Sequence, residues 1–291
     1  MLEVLLVLVI LGYFTLLERK ILGYGQMRKG PNKAVQWGLV QPLLDGVKLF
    51  MKGYWGLEVS GLLGLWGFPI MGLVVVLIVW GMVGALSGVF GLVMVMLFVV
   101  LLSGFVGTCF FVTGYFAGGK YSQLGSVRSL AQVVSYEGVL VMGLLVFSLW
   151  SGSGEEMESG LIFMGWAVLA AVVASVVMES NRTPVDYVEG ESELVSGLAT
   201  EMGGLSFSLL FLMEYGVMSI YVVVVSVMLW GVMMGWVSGM VTLVLLLVGL
   251  CVLRLSLPRS RYDLSMGWGW KVGLVVVFFY LVVAFAGMVV N

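Results

Sequence analysis

The sequence predicts an all-α polytopic membrane protein with eight transmembrane helices plus an interfacial amphipathic helix. Of its 291 residues, 61% are apolar and only 10% are charged, whereas a soluble domain carries about 25% charged residues. Several apolar runs reach about 20 residues, the length that a helix needs to cross the hydrocarbon core of a bilayer. Residues 1–291 are therefore expected to form a single membrane domain.

The apolar runs predict where the eight helices lie. The predicted spans are residues 2–18, 61–81, 90–113, 130–150, 161–180, 205–230, 237–256 and 272–290. Three connecting segments have a distinct character: residues 19–60 are too long for a simple turn, residues 181–204 are acidic, and residues 254–271 are basic.

The basic residues predict the orientation of the helices. All fourteen lie in, or at the edges of, the loops that follow the first, third, fifth and seventh spans: Arg19, Lys20, Arg28, Lys29, Lys33, Lys48, Lys52, Lys120, Arg128, Arg182, Arg254, Arg259, Arg261 and Lys271. By the positive-inside rule these loops face the cytoplasm or the matrix. Both termini then face the opposite side, as an even number of spans requires.

The first inner-side loop contains an amphipathic segment at residues 39–52. Five apolar side chains recur at helical spacing, at Leu43, Leu44, Val47, Phe50 and Met51. Asp45, Lys48 and Lys52 lie toward another face. This pattern is typical of a helix that lies at the level of the lipid headgroups. A helix that packs on a partner subunit gives the same pattern, and the two interpretations are compatible.

The residue inventory excludes several cofactor sites. The chain has no His, and its two cysteines, Cys109 and Cys251, are far apart in apolar runs. His-ligated haem, iron–sulfur clusters held by four cysteines and zinc sites of Cys and His are therefore excluded. Any electron carrier must belong to a partner. The net charge of −2 and the lack of a basic stripe give no sign of nucleic-acid binding.

Three acids, Glu137, Glu179 and Glu214, lie inside or at the ends of predicted spans. A charge at the centre of a membrane helix costs about 2.5–3.5 kcal/mol on insertion scales. Carboxyl groups in a low dielectric have raised pKa values, and a group with a pKa near 7 can load and release protons. Three such acids favour a proton relay. The alternative is three structural carboxyls hydrogen-bonded to Ser, Tyr or Arg.

The acidic loop continues this set. Glu189, Glu191 and Glu193 alternate along the chain, and like charges at this spacing couple their titrations. A solvated acidic loop is the alternative interpretation. Thr183-Pro184 is expected to end the fifth helix, because the residue before proline avoids the helical region. Arg182 then lies where helix meets loop, and it can pair with Glu179 or with a loop acid.

The seventh loop is basic, with Arg254, Arg259 and Arg261 before Asp263. These arginines suit either an anionic partner surface or neutralisation of the acidic loop on the same side. For any single Arg at the end of a membrane helix, extension toward lipid headgroups is a third interpretation.

Two segments resemble a known family. The first is Glu18-Arg-Lys-Ile-Leu-Gly-Tyr24, followed by Arg28-Lys-Gly-Pro-Asn32 and Gln41-Pro-Leu-Leu-Asp-Gly-Val-Lys48. The second is Glu179-Ser-Asn-Arg-Thr-Pro-Val-Asp186 with Glu189-Gly-Glu-Ser-Glu-Leu-Val-Ser-Gly197. Together they resemble the subunit 1 family of NADH:ubiquinone oxidoreductase, respiratory complex I. Lys120-Tyr121, Tyr136-Glu137 and Pro258-Arg-Ser-Arg-Tyr-Asp263 look like further family motifs, in the family's order.

The resemblance implies a core membrane subunit that lines the ubiquinone access channel and begins an acidic path toward proton-pumping subunits. It implies activity only within the complex, because NADH, FMN and the iron–sulfur clusters are bound by partner subunits. The residues implied at the quinone channel are Arg19, Arg28, Asp45, Arg254 and Arg259. Those implied in the acidic path are Glu137, Glu179, Arg182, Asp186, Glu189, Glu191, Glu193 and Glu214.

Some positions depart from the family pattern: Val35-Gln36 stand where Gly-Pro is usual, and Val185, Leu198 and Met202 stand where aromatic residues are common. These changes bear on how a quinone tail fits. The implied location is the mitochondrial inner membrane, or the plasma membrane of a bacterium. Three other functions remain open: a quinone-independent subunit of a related hydrogenase-type complex, a stand-alone secondary transporter, and a structural anchor.

Overall fold

The computed structural model describes residues 2–33, 35–52, 59–85, 92–152, 159–187, 197–200, 202–230 and 236–290, and these ranges contain helices and loops but no strand. The helices are α1 Leu2–Gly25, α2 Gln41–Met51, α3 Val59–Ala85, α4 Leu92–Phe116, α5 Lys120–Gly152, α6 Ser159–Glu179, α7 Gly204–Trp230, α8 Trp236–Ser256, α9 Tyr262–Trp268 and α10 Leu274–Val290. A π-helical turn, Gly269–Gly273, joins α9 to α10.

Within the described residues, each of the eight predicted spans overlaps a helix of this structure. Five stretches in the described ranges are long and apolar enough to cross a membrane: Gly64–Met82, Leu97–Phe116, Lys120–Leu149, Gly204–Ser226 and Tyr262–Ala286. Gly165–Glu179 and Val241–Ser256 are shorter apolar helices. The described part of the chain is therefore helical without strands and has the character of a polytopic membrane protein, as the composition predicts. The count of eight spans stays a prediction.

Two helices extend beyond the apolar runs that predict them. Helix α1 continues to Gly25, so Arg19 and Lys20 belong to its last turns. Helix α5 begins at Lys120, about ten residues before the predicted span. Its first turns are polar, but Ser122, Ser126 and Ser129 are completely buried. Each serine hydroxyl donates to a backbone carbonyl, which removes the penalty for burying it.

Helix α6 ends at Glu179, before the Thr183–Pro184 peptide that was expected to end it. Asn181 adopts a left-handed backbone conformation with φ of 51°, and Asn is one of the residues that commonly end helices in this way. The Ser180 amide donates to the carbonyl of Val176. The side-chain amide of Gln132, on α5, donates to the carbonyl of Met178. The last turn of α6 is therefore capped from within the protein.

Helix α7 lies at the centre of the bundle. It packs against α1, α2, α3, α4, α6 and α8. Close approach to its neighbours depends on glycine: a Cβ atom at Gly72 of α3 would collide with Met213, and one at Gly216 would collide with Val76 of α3. Small residues allow helix backbones to approach closely in membranes. Because α7 also carries Glu214, the packing holds one of the predicted acids between several helices.

The segment predicted as amphipathic forms helix α2. Its apolar side chains Leu43, Leu44, Val47, Phe50 and Met51 are all more than half exposed, although the helix packs on α1 and α7. At its end, Gly204 at the start of α7 has φ of 60° and lies against the Lys52 carbonyl oxygen. The helix is present as expected. Its position at the membrane surface stays a prediction.

Candidate functional site

Glu18 is a buried carboxylate that joins three helices. Its side chain forms an ion pair with Arg254 of α8. Its Oε2 atom accepts a 2.6 Å hydrogen bond from the hydroxyl of Tyr215 on α7. Only 3% of Glu18 is exposed, and a buried carboxylate is stable only when opposite charge and hydrogen bonds replace its water. Glu18 therefore fixes α1 against α7 and α8.

Arg254 also holds the segment that follows α6. Its Nε atom donates a 2.8 Å hydrogen bond to Thr183 Oγ1. Nearby, the Ser260 amide donates to the Pro184 carbonyl at 3.0 Å, and the hydroxyls of Tyr187 and Ser260 lie 2.7 Å apart. The loops after α6 and α8 are therefore joined by several polar contacts.

Arg259 and Asp186 carry opposite charges across the same two loops. The guanidinium of Arg259 lies 3.3 Å from Asp186 Oδ2. This contact agrees with one of the interpretations of the basic loop, in which its arginines neutralise acids of the segment 181–204. The predicted acids Glu189, Glu191 and Glu193 lie outside the described residues.

Arg182 forms an ion pair with Glu214 of α7, at 2.8 Å. Both side chains are close to nine-tenths buried. The guanidinium carbon also lies 4.5 Å from the ring centroid of Tyr215 and 5.1 Å from that of Phe211. Cation–π contacts of this kind strengthen when water is excluded. Glu214 and two aromatic rings of α7 thus hold Arg182 against that helix.

Glu179 is buried between α6 and α7. Its Oε1 atom accepts a hydrogen bond from the hydroxyl of Tyr221, which is completely buried. Glu179 and Glu214 both line a cavity of about 20 Å³, and Ser103 of α4 and Asn181 contribute to the same wall. The rest of the lining is mostly apolar. A cavity volume of about 10–15 Å³ holds one water molecule when polar groups in the wall bind it. The two acids therefore line one small cavity, whose wall contains both polar and apolar side chains.

Glu137 lies on α5, facing α4. Its carboxyl group occupies the place where a Cβ atom of Gly104 would stand. Ser103, the residue before Gly104, lines the cavity of Glu179 and Glu214. The three predicted membrane acids are therefore gathered around α4, α5, α6 and α7.

A second group of predicted residues lies at the end of α1. Arg19 forms a 2.7 Å ion pair with Asp45 of α2, and Asp45 Oδ1 accepts a 2.9 Å hydrogen bond from Gln41. Arg19 is more exposed than buried. Arg28 is exposed in the turn after α1, where its Nε atom donates to Gln26. Arg19 directly follows Glu18 in the chain, so the accessible Arg19–Asp45 pair lies beside the buried Glu18–Arg254 pair.

Sequence reasoning missed three members of the network. Glu18 was noted only within a motif, and Tyr215 and Tyr221 were not singled out. Arg182 was expected to pair with Glu179 or a loop acid, and the structure adds Glu214 as its partner. The two tyrosines within an apolar predicted span were an available signal. A buried Tyr hydroxyl usually has a hydrogen-bond partner, so each of them indicated a polar group nearby. Within the described ranges, no group of three or more His, Cys, Asp or Glu side chains is arranged to hold a metal ion.

The fold and these contacts define a polytopic helical membrane protein with ion-paired carboxylates held between its helices. Comparison with known proteins identifies its relatives. A family model described as NADH dehydrogenase matches residues 1–285. Relatives that match nearly the whole chain carry the name NADH-ubiquinone oxidoreductase chain 1, and three of them illustrate the match. That of Branchiostoma lanceolatum is 36% identical, over 97% of this chain and 94% of its own length.

The relative from Heterololigo bleekeri is 38% identical, over 91% of this chain and 88% of its own length. The one from Metridium senile is 35% identical, over 91% of this chain and 84% of its own length. The chain belongs to the NADH dehydrogenase family of NADH-ubiquinone oxidoreductase chain 1 proteins. The resemblance predicted from the two sequence segments is confirmed.

Proposed function

We propose that this chain is the core membrane subunit of a proton-pumping NADH:ubiquinone oxidoreductase that borders the ubiquinone channel and begins the acidic path coupling quinone reduction to proton movement. Family membership supports the complex. The observation that carries the coupling role is the small cavity that Glu179 and Glu214 both line. Such a site has room for a water molecule that would connect two carboxyl groups on different helices.

The acidic path would run through Glu137, Glu179 and Glu214, with the loop acids Glu189, Glu191 and Glu193 at its start. The Glu137 carboxyl group contacts Gly104 of α4. Ser103, which precedes Gly104 in the chain, lines the cavity that Glu179 and Glu214 share. Arg182, paired with Glu214, would set the charge balance at the loop end of the path. Carboxyl groups, serine hydroxyls and water can pass protons along such a chain by short transfers.

The quinone end would lie at Arg19, Arg28 and Asp45, with Arg254 and Arg259 in the neighbouring loop. The Arg19–Asp45 pair is accessible at the end of α1. A guanidinium there can donate hydrogen bonds to a quinone carbonyl oxygen. The exposed apolar face of α2 would meet lipid or a peripheral-arm subunit at the mouth of the channel.

This function assigns no redox centre to the chain. Ubiquinone is the substrate, and NADH, FMN and iron–sulfur clusters would belong to partner subunits of the peripheral arm. Other partners would be neighbouring membrane-arm subunits and lipid. We place the chain in the mitochondrial inner membrane with both termini toward the intermembrane space.

The test is Glu179→Gln in the assembled complex. Glutamine keeps the shape of the side chain but cannot carry a proton, so coupled quinone reductase activity should fall roughly tenfold or more. Glu3→Gln, in the first turn of α1, is the matched control and should leave the rate unchanged. Normal quinone reduction and proton pumping by an assembled Glu179→Gln complex would overturn the coupling role.

A further inference from the structure

We propose that Tyr215 is a positioning residue that connects Glu18 and Arg254 to Arg182 and Glu214. The inference rests on the proposed function, because it adds a link between the quinone end and the acidic path. Neither Tyr215 nor Glu18 belongs to the sets that the family resemblance implies. The link is carried by two contacts of the same side chain, one through its hydroxyl and one through its ring.

The hydroxyl contact faces α1. Tyr215 donates a 2.6 Å hydrogen bond to Glu18 Oε2, and both residues are more than 90% buried. Phe14 of α1 packs edge-on against the Tyr215 ring at a centroid distance of 5.5 Å. The ring therefore has little freedom, and its orientation depends on the hydrogen bond that Glu18 accepts.

The ring contact faces the acidic path. The Arg182 guanidinium carbon lies 4.5 Å from the Tyr215 ring centroid, while the same guanidinium is 2.8 Å from Glu214. Tyr215 also follows Glu214 in the chain. A rotation of the ring would therefore change how Arg182 is held against Glu214.

The link connects two buried ion pairs. Glu18 and Arg254 form one buried pair, and Arg182 and Glu214 form another. Tyr215 lies between the two pairs and carries no charge itself. Arg19, beside Glu18 in the chain, belongs to the accessible pair with Asp45. A change of charge at Arg19 would act on Glu18, its neighbour in α1, and Tyr215 would pass the altered hydrogen bonding of Glu18 on to Arg182.

The experiment removes the hydroxyl and keeps the ring. In assembled complex in membrane vesicles, Tyr215→Phe should lower the turnover number for quinone reduction about five- to tenfold, since a hydrogen bond to a charged group is lost. The quinone KM should stay within twofold of wild type, and the content of assembled complex should be unchanged. Tyr280→Phe, a half-buried tyrosine of α10, is the matched control.

A double-mutant cycle distinguishes a link from general structural damage. If Tyr215 acts through Glu18, Glu18→Gln combined with Tyr215→Phe should be no slower than Glu18→Gln alone. Losses that multiply across the two variants would overturn the proposal. So would a wild-type turnover number in Tyr215→Phe, or a loss that Tyr280→Phe reproduces.

The Glu179→Gln variant separates the two ideas. If Glu179→Gln is impaired and Tyr215→Phe is normal, the link alone is wrong and the acidic path stands. If both variants reduce quinone at wild-type rates, the proposed coupling function fails together with the link.

Discussion

Arg182 lies 2.8 Å from Glu214, and this ion pair fastens the segment after α6 to α7. Both side chains are nearly buried. Removal of one partner from a buried pair leaves an uncompensated charge and costs about 3–5 kcal/mol. We expect Arg182→Gln to lower the thermal stability of the detergent-solubilised complex markedly. Arg182→Lys should recover only part of this stability, because lysine lacks the planar guanidinium that stacks on Tyr215.

The corresponding double variant checks the cause. Arg182→Gln with Glu214→Gln removes both charges, so it should be more stable than Arg182→Gln alone. A double variant that loses the sum of the two single effects would show that the pair is not the source of the stability.

Gly104 provides space for the carboxyl group of Glu137. A Cβ atom at this position would collide with both carboxyl oxygens, so Gly104→Ala must push the Glu137 side chain out of its present position. We expect coupled quinone reductase activity to fall several-fold, with assembly preserved, because the end of a flexible side chain can move. Activity per assembled complex is the measurement.

Gly138→Ala is the control for this change. Gly138 follows Glu137 in α5, and the nearest atom to an added Cβ is 3.9 Å away, which is an ordinary contact. Equal losses in Gly104→Ala and Gly138→Ala would mean that any added methyl group on these helices is harmful, and that the position of Glu137 is not the cause.

Gly204, at the start of α7, packs closely against the end of α2. Its φ of 60° is strained for any residue with a Cβ atom, and that atom would lie 2.6 Å from the carbonyl oxygen of Lys52. Gly204→Ala should therefore destabilise the junction by about 1–3 kcal/mol. Protease cleavage between α2 and α3 in membrane vesicles should increase.

Gly203 offers a neighbouring comparison. An added Cβ at Gly203 has no heavy atom of the described residues within 4 Å, so Gly203→Ala should be cleaved like wild type. Cleavage of Gly204→Ala at the wild-type rate would contradict the predicted strain.

Arg19 and Asp45 hold each other at the accessible end of α1. If they border the quinone channel, Asp45→Asn should raise the quinone KM several-fold with a smaller change in turnover number, because ground-state binding is affected most. Lys48→Gln, an exposed change on the same helix, should leave KM unchanged. An unchanged KM in Asp45→Asn, with less assembled complex, would assign the pair a structural role.

The helices could be predicted from the sequence because each apolar run of membrane length must satisfy its own backbone hydrogen bonds. The predicted helix boundaries were less accurate where a helix buries polar side chains. The serines at Ser122, Ser126 and Ser129 read as a loop in the sequence, but they are buried on one face of α5. Hydrogen bonds to nearby carbonyls make polar side chains acceptable inside this helix.

The ion pairs between distant helices could not be predicted, although the contact between the basic and acidic loops agrees with one interpretation of the sequence. Arg182 was expected to pair with Glu179 or with a loop acid, and the spacing of the residues did not indicate its ion pair with Glu214 on α7. Glu18 and Arg254 lie near opposite ends of the chain, and nothing in their local sequence links them. Such pairings depend on how helices pack, which composition and spacing do not encode. Residue types at the site were therefore predictable, and their geometry was not.

The buried pair of Glu18 and Arg254 also has a consequence for how the chain is made. During synthesis, Glu18 leaves the ribosome with the first helix, while Arg254 follows only with α8. For most of translation the carboxylate lacks Arg254, so the buried ion pair that fixes α1 against α8 forms only after α8 has been made. A helix near the end of the chain thus completes the contacts of the first helix, and a chain that stops before residue 254 lacks this buried pair.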